Sequence, residues 1–386
     1  MTDRTRLVIL LVTAPILAYT LVGGLMGRVM AREDTYRHLR VFEDVVRLVT
    51  DNYVEPVDPE RIMQGALWGL AEGLDPDSAY LTPDDVSRYE ADDVSGEVGV
   101  GLVLTRQYYI QVVAARDGSP AGAAGLRPGD YIRAIDDSPT RIMSTVRGRD
   151  LLRGAPGSTV TLTIIRGNAA EPVEIELERG GARSANVTSR LVAPGVGYLR
   201  IAEFDDTTTD AIEAAIGTLD RQGAERLLID LRVTATGPFE SGIDAARLFT
   251  GADALVIRES STEQEPVNRA GQPSIAWPVV IITNHGTAGA AELFAAALTD
   301  TGRAETVGLR TAGRAAEQTL IRLPDGGGLL LSSTRYLTAS GEPIHRVGVQ
   351  PAVVVPEPTV ELGQAVADPD AEDPVLDRAL EQLAAI

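Results

Sequence analysis

VVIITNHGTAGAAELFAAAL, residues 279–298, reads as a strand, a short turn with two glycines and a helix. Val279–Thr283 is an unbroken apolar run and Glu292–Leu298 carries a helical pattern. The same alternation extends in both directions. Val196–Ile201 is a strand; Thr207–Leu219 is a helix with Thr208 or Thr209 near its cap and Ile212, Ile216 and Leu219 inward. Leu227–Leu231, Gly328–Leu331 and Val349–Val355 are further strands. Strands alternating with helices imply a parallel sheet with crossover helices, so residues 183–357 are expected to form an α/β core.

Upstream, residues 91–182 change character. Short β-rich runs at Val98–Leu104, Ile110–Ala114, Tyr131–Ile135, Thr159–Ile165 and Val173–Leu177 alternate with Gly/Pro turns. Pro120–Gly125 and Val146–Leu152 read as short helices, which together make a compact second domain. Residues 34–90 are expected to be helical. Leu39, Phe42, Val46, Val49 and Tyr53 form one apolar stripe predicted to be buried, and Pro59 opens a helix carrying Ile62, Ala66 and Leu70. The stretch 358–386 is an acidic tail with a short helix around Val375–Leu383.

Three absences bound the chemistry. The 386 residues contain no Cys, which excludes disulfides and thiolate nucleophiles, and no Lys, so all 35 basic residues are Arg. The three His (His38, His285 and His345) lack metal-ligand spacing, so no metal or other cofactor is expected. A net charge of −20 repels phosphate backbones, and nucleic acid is not an expected partner.

Leu7–Met26 carries no charge and at 1.5 Å per residue is long enough for a bilayer core of about 30 Å. Arg4 and Arg6 precede it, which predicts residues 1–6 in the cytoplasm, 7–26 as a single-pass anchor in the inner membrane, and the bulk of the chain outside, in the periplasm. A cleaved signal peptide, with Val29-Met30-Ala31 at its end, is the competing reading.

Several further motifs occur in order. Leu74-Asp75-Pro76 leads to Ser78-Ala79-Tyr80-Leu81-Thr82-Pro83; then come Gly99-Val100-Gly101-Leu102 and Gly118-Ser119-Pro120-Ala121 with Gly125-Leu126-Arg127-Pro128-Gly129-Asp130. Leu228-Ile229-Asp230-Leu231-Arg232 and Gly348-Val349-Gln350-Pro351 continue the series. From about residue 36 to 356 this order resembles the carboxy-terminal processing peptidases, the S41 or tail-specific protease family, with their PDZ domain. The expected fold is α/β: after the N-terminal transmembrane helix read above from the run 7–26, the resemblance implies a PDZ domain placed before a parallel or mixed-sheet, ClpP/crotonase-like peptidase core. It also implies peptide or protein C-termini as partners, with an active protease or an envelope protein as further candidates.

A PDZ domain takes an extended tail as an added strand and holds its carboxylate on backbone amides. Gly99, Val100, Gly101 and Leu102 match that loop; Leu102 and Leu104 are expected to alternate into and away from the groove, and Arg147 and Arg153 stand as candidate cations beside it. The family cleaves with a Ser nucleophile and a Lys base. Here the nucleophile motif reads Gly286-Thr287-Ala288-Gly289-Ala290-Ala291-Glu292, with Gly289 at the Ser position. The base motif reads Thr311-Ala312-Gly313-Arg314-Ala315-Ala316-Glu317-Gln318, with Arg314 at the Lys position. A guanidinium stays protonated and cannot accept the Ser proton. Thr234-Ala235-Thr236-Gly237 stands where the family carries its oxyanion glycines, while Thr287, Glu292, Asp300 and Gln318 are retained. The expected function is therefore a catalytically inactive homologue that binds tails. The alternative is a serine-type endopeptidase with a displaced site, for which Thr287, His285 and Ser241 are the nearest candidates.

Overall fold

The computed structural model describes residues 40–91, 98–167, 171–181, 185–268, 273–357 and 373–386. The chain divides into two units, Met1–Leu67 and Trp68–Ile386. In the first, residues 40–52 form helix α1. The expected helix is present, but its stripe is not buried: Phe42 is 38 %, Val49 40 % and Tyr53 60 % exposed. Helix α2 (Pro59–Glu72) carries the chain across the boundary.

The second unit opens with β1 (Ala79–Leu81) and α3 (Pro83–Ala91), the latter started by the Thr82 hydroxyl accepting from the Asp85 amide at 3.2 Å. A six-strand module follows: β2 (Leu102–Gln107), β3 (Tyr109–Ala115), α4 (Pro120–Ala123), β4 (Tyr131–Ile135), β5 (Ser138–Pro139), α5 (Thr145–Leu152), β6 (Thr159–Ile165) and β7 (Val173–Glu178). Its antiparallel order is β2-β3-β4-β6-β7, with β5 on β4, so β2 is an edge strand. Val100, Ile110, Ile132, Ile135, Leu162 and Ile164 fill its core. The first strand begins four residues later than its β-branched run suggests. Gly101 has φ +80, outside any strand, and a Cβ there would lie 2.2 Å from the Ser119 Cβ. Leu102 and Leu104 correct another expectation. Two residues apart in a strand, they share a face, and both pack into the module's core.

The core comprises β8 (Val187–Ala193), β9 (Val196–Ile201), α6 (Thr208–Arg221), β10 (Arg226–Asp230), α7 (Phe239–Ala246), β11 (Ala254–Ser260), β12 (Gln264–Asn268), β13 (Val279–Thr283), α8 (Ala290–Asp300), β14 (Ala304–Gly308), β15 (Ala316–Arg322), β16 (Gly328–Thr338), β17 (Val353–Val354) and α9 (Pro374–Ala385). One sheet runs β17-β14-β13-β10-β9-β8, parallel except for the β8–β9 hairpin. The side chains of Leu227, Ile229, Val279 and Ile281 pack with α6, α7 and α8, while Leu228, Val280, Ile282 and Val307 pack with α9. Both faces are covered, which is why these strands read as continuous apolar runs. A second, antiparallel sheet joins β1, β16, β11 and β12, with β15 beside β16.

The membrane placement is not upheld. Among the described residues no helix is long and apolar enough to cross a membrane, and the run Leu7–Met26 on which the placement rested lies outside them.

Candidate functional site

Three loops converge at the carboxyl ends of β10, β13 and β14, the end of a parallel sheet where ligands commonly bind. Asn284 ties the first two together: its Oδ1 accepts from the Val233 amide at 3.0 Å and the Gly286 amide at 2.9 Å. Thr287 is fully buried. Its hydroxyl donates to the Leu231 carbonyl at 2.7 Å and accepts from the Asn284 amide at 3.1 Å, so it is a clamp between β10 and β13. Its neighbour His285 is exposed.

Gly289 begins α8 with φ 63 and ψ −123. A Cβ built there meets nothing nearer than Phe239 at 3.9 Å. The space for a side chain is open, and only the backbone conformation resists one. Glu292, one turn into α8 and fully buried, joins this turn to the loop after β14. Its carboxylate accepts from the Gly289 amide at 3.2 Å, from the Gly313 and Arg314 amides at 2.6 Å each, and from the Thr311 hydroxyl. Burial pushes this carboxyl above the ordinary range, and the four donors pull against that shift.

Arg314 is bound to Asp77. Its Nε lies 3.0 and 3.1 Å from the two carboxylate oxygens, and its Nη2 donates to Oδ1 at 2.7 Å. Asp77 also accepts from the Thr105 hydroxyl of β2 at 3.0 Å. Burial alone would raise the Asp77 carboxyl, but Arg314 and Thr105 outweigh it and hold it below its ordinary value. For Arg314, burial works against the charged form and the Asp77 pair outweighs it, so the guanidinium is held still more firmly protonated. Gly289, Glu292 and Arg314 are thus brought together. Gln318 is not: it sits on β15 and its amide donates to the Ala316 carbonyl at 3.1 Å. Asp300 accepts from the Ser340 amide at 2.8 Å and hydroxyl at 2.6 Å, a loop clamp at the far end of α8.

The loop after β10 has its own restraints. Val233 adopts φ 52, a strained state for a β-branched residue. The Thr234 hydroxyl donates to the Ile201 carbonyl at 2.5 Å and accepts from Arg200 at 2.8 Å. The Ala288 amide donates to the Thr234 carbonyl at 2.9 Å, and Ser241 sits buried in α7. Gly237, at φ 117, could carry no Cβ, which would fall 1.8 Å from the Phe204 carbonyl oxygen.

The loop ahead of β2 is the opposite case. The carbonyls of Gly99, Val100 and Gly101 accept from the Gly180, Ala121 and Arg116 amides at 3.1, 3.0 and 2.8 Å. Among the described residues, none of the three donates its own amide. They line a cavity of about 570 Å³ with Leu102, Leu152 and Arg153. Arg147 instead pairs with Asp150 at 2.5 Å. On β2 the Arg106 amide points outward, to the Pro76 carbonyl at 3.3 Å; by period two, the Leu102 and Leu104 amides share that open edge.

A second cavity of about 460 Å³ lies over Arg314 and reaches Thr105, Gln107, His285, Arg310, His345 and Arg346. His345 is 8 % exposed with Nδ1 unpartnered, and Arg346 holds φ 66. Sequence reading missed Asp77, Thr105, His345 and Arg346 as site residues. Asp77 stands 237 positions from Arg314, and no local pattern marks such a pair.

Comparison with known proteins agrees with this fold. Residues 195–355 match the model of peptidase family S41, and residues 111–166 match that of the PDZ domain. A carboxy-terminal-processing protease of Bartonella bacilliformis is 30 % identical over 338 residues, covering 85 % of this chain and 77 % of the relative. A carboxyl-terminal-processing protease of Synechocystis is 31 % identical over 336 residues, covering 84 % and 78 %. The solved structure of a photosystem II D1 C-terminal processing protease superposes with a TM-score of 0.68 at 30 % identity, covering 79 % of this chain and 84 % of its own.

Proposed function

Because the chain belongs to peptidase family S41, serine-type peptidases that include the carboxy-terminal processing proteases, and carries their PDZ domain, we propose that it captures free C-terminal tails without cleaving them. One observation carries the second half of this reading. The motif reading puts Gly289, with no side chain, at the Ser position, and Arg314, which Asp77 holds as a cation, at the Lys position. A hydroxyl to attack and a base able to take its proton are both missing from that pair. Tail capture is supported by the unpaired amides of Gly99, Val100 and Gly101 and by the open edge of β2.

The relatives' names favour a second reading, an endopeptidase using displaced residues. Its best nucleophile is Thr287, whose hydroxyl is already committed to the Leu231 carbonyl while His285 faces solvent. A peptide cleavage assay decides between the two. The unaltered protein should give no turnover, and Gly289→Ser with Arg314→Lys should give some. Turnover by the pure unaltered protein overturns the non-catalytic reading. Tail capture is tested separately by calorimetry with one peptide in free-acid and amidated forms. The free acid should bind at least about tenfold more tightly, roughly 1.4 kcal/mol, and equal affinities would end it.

A further inference from the structure

The cavity over Arg314 is an electropositive patch on an acidic protein. Arg310 and Arg346 are exposed and have no carboxylate partner among the described residues. Each spends one N–H on a carbonyl, Arg310 on Val347 at 2.7 Å and Arg346 on Leu74 at 3.2 Å, and a guanidinium has five to offer. His345 adds a nearly buried imidazole with an unfilled nitrogen. Such a set suits an oxyanion. The cavity is also placed on a route. Thr105 and Gln107 in its wall belong to β2, the strand whose start forms the tail loop. A tail added antiparallel to β2, with its carboxylate at Gly99–Leu102, runs toward Gln107 at about 3.3 Å per residue. The Pro76 carbonyl already occupies the Arg106 amide, so the tail can pair as far as Leu104 and must leave the edge beside Pro76 and Asp77, which line the same cavity.

The geometry points to a selectivity subsite: resting on the tail-capture reading above, the cavity lined by Arg310, Arg346 and His345 takes a carboxylate side chain about three to six residues before the end of the bound tail. Asp77 does not compete for it, being occupied by Arg314 and Thr105.

Calorimetry on the full chain would use decapeptides that share their last three residues and carry either Glu or Gln at the four positions before these. The Glu peptide should bind about five- to tenfold more tightly, with the advantage shrinking at high salt. Arg310→Gln, at an exposed site, should remove at least half of the advantage. Equal binding of Glu and Gln peptides, with the free-acid preference intact, overturns the subsite alone. Loss of the free-acid preference overturns the tail reading, and the subsite with it. Should the variant fail to fold, the salt dependence of the unaltered chain decides instead: a Glu advantage that salt leaves unmoved overturns the subsite.

Discussion

Two glycine-bearing loops of this protein use their backbone polar groups in opposite ways. Around Gly99–Gly101 the carbonyls are engaged and the amides are left over, beside a cavity. Around Gly289 the amides are drawn inward: Gly289, Gly313 and Arg314 all donate to Glu292, and Arg314 is tied by its side chain to Asp77. The first loop has donor capacity to offer an anion. The second spends the amides of Gly289, Gly313 and Arg314 on its own Glu292. Binding capacity follows from which groups a fold leaves without partners, and a motif's survival in sequence does not reveal that.

The contrast breaks most sharply at Gly101. Gly101→Val places a Cβ on Ser119 at φ +80, and should cost about 3 kcal/mol and abolish tail binding, read by denaturant melts beside calorimetry. A variant that folds and still binds tails would show that the loop needs no glycine there. Asp77→Asn attacks the second loop, leaving the Arg314 charge partly buried and unpaired, a loss of about 2–3 kcal/mol at neutral pH. The sign with pH follows from the Asp77 shift. Its carboxyl titrates below the ordinary 3.8, so its contribution is full above that value and fades as pH falls through the lower folded value. The gap between unaltered and Asp77→Asn proteins should therefore be constant from pH 5 to 7 and close in strong acid; a gap unchanged in acid would show that the ion pair is not its source. Gly289→Ser alone should be the mildest change, about 1–2 kcal/mol of backbone strain with no clash and no turnover, since Arg314 still cannot accept a proton. A larger loss in its thermal melt would mean that the turn no longer holds room for a side chain.

Much of the architecture was legible because it follows from local periodicity. Val196–Ile201 and Val279–Thr283 form strands with those bounds, and the sheet's covered faces explain their unbroken apolar character. The antiparallel strands β11, β12 and β15 were not legible. Glu259, Arg258, Gln264 and Glu317 give them a polar face that resembles a loop in one dimension. The stripe on α1 formed a helix and yet stayed exposed, because helical spacing dictates a face and not a partner. At the site, Gly289, Glu292 and Arg314 lie in stretches that the sequence singles out, whereas Asp77, Arg310 and His345 line one cavity only through tertiary structure.

Helix α9 (Pro374–Ala385) covers Leu228, Val280, Ile282 and Val307 from one side. Arg232 hooks its start through Asp373 at 2.8 Å. During synthesis, that side of the parallel sheet therefore stays uncovered until residues 373–386 have emerged from the ribosome. A chain lacking residues 373–386 would have every site residue in place and a bare greasy surface, prone to aggregate before it could meet a ligand.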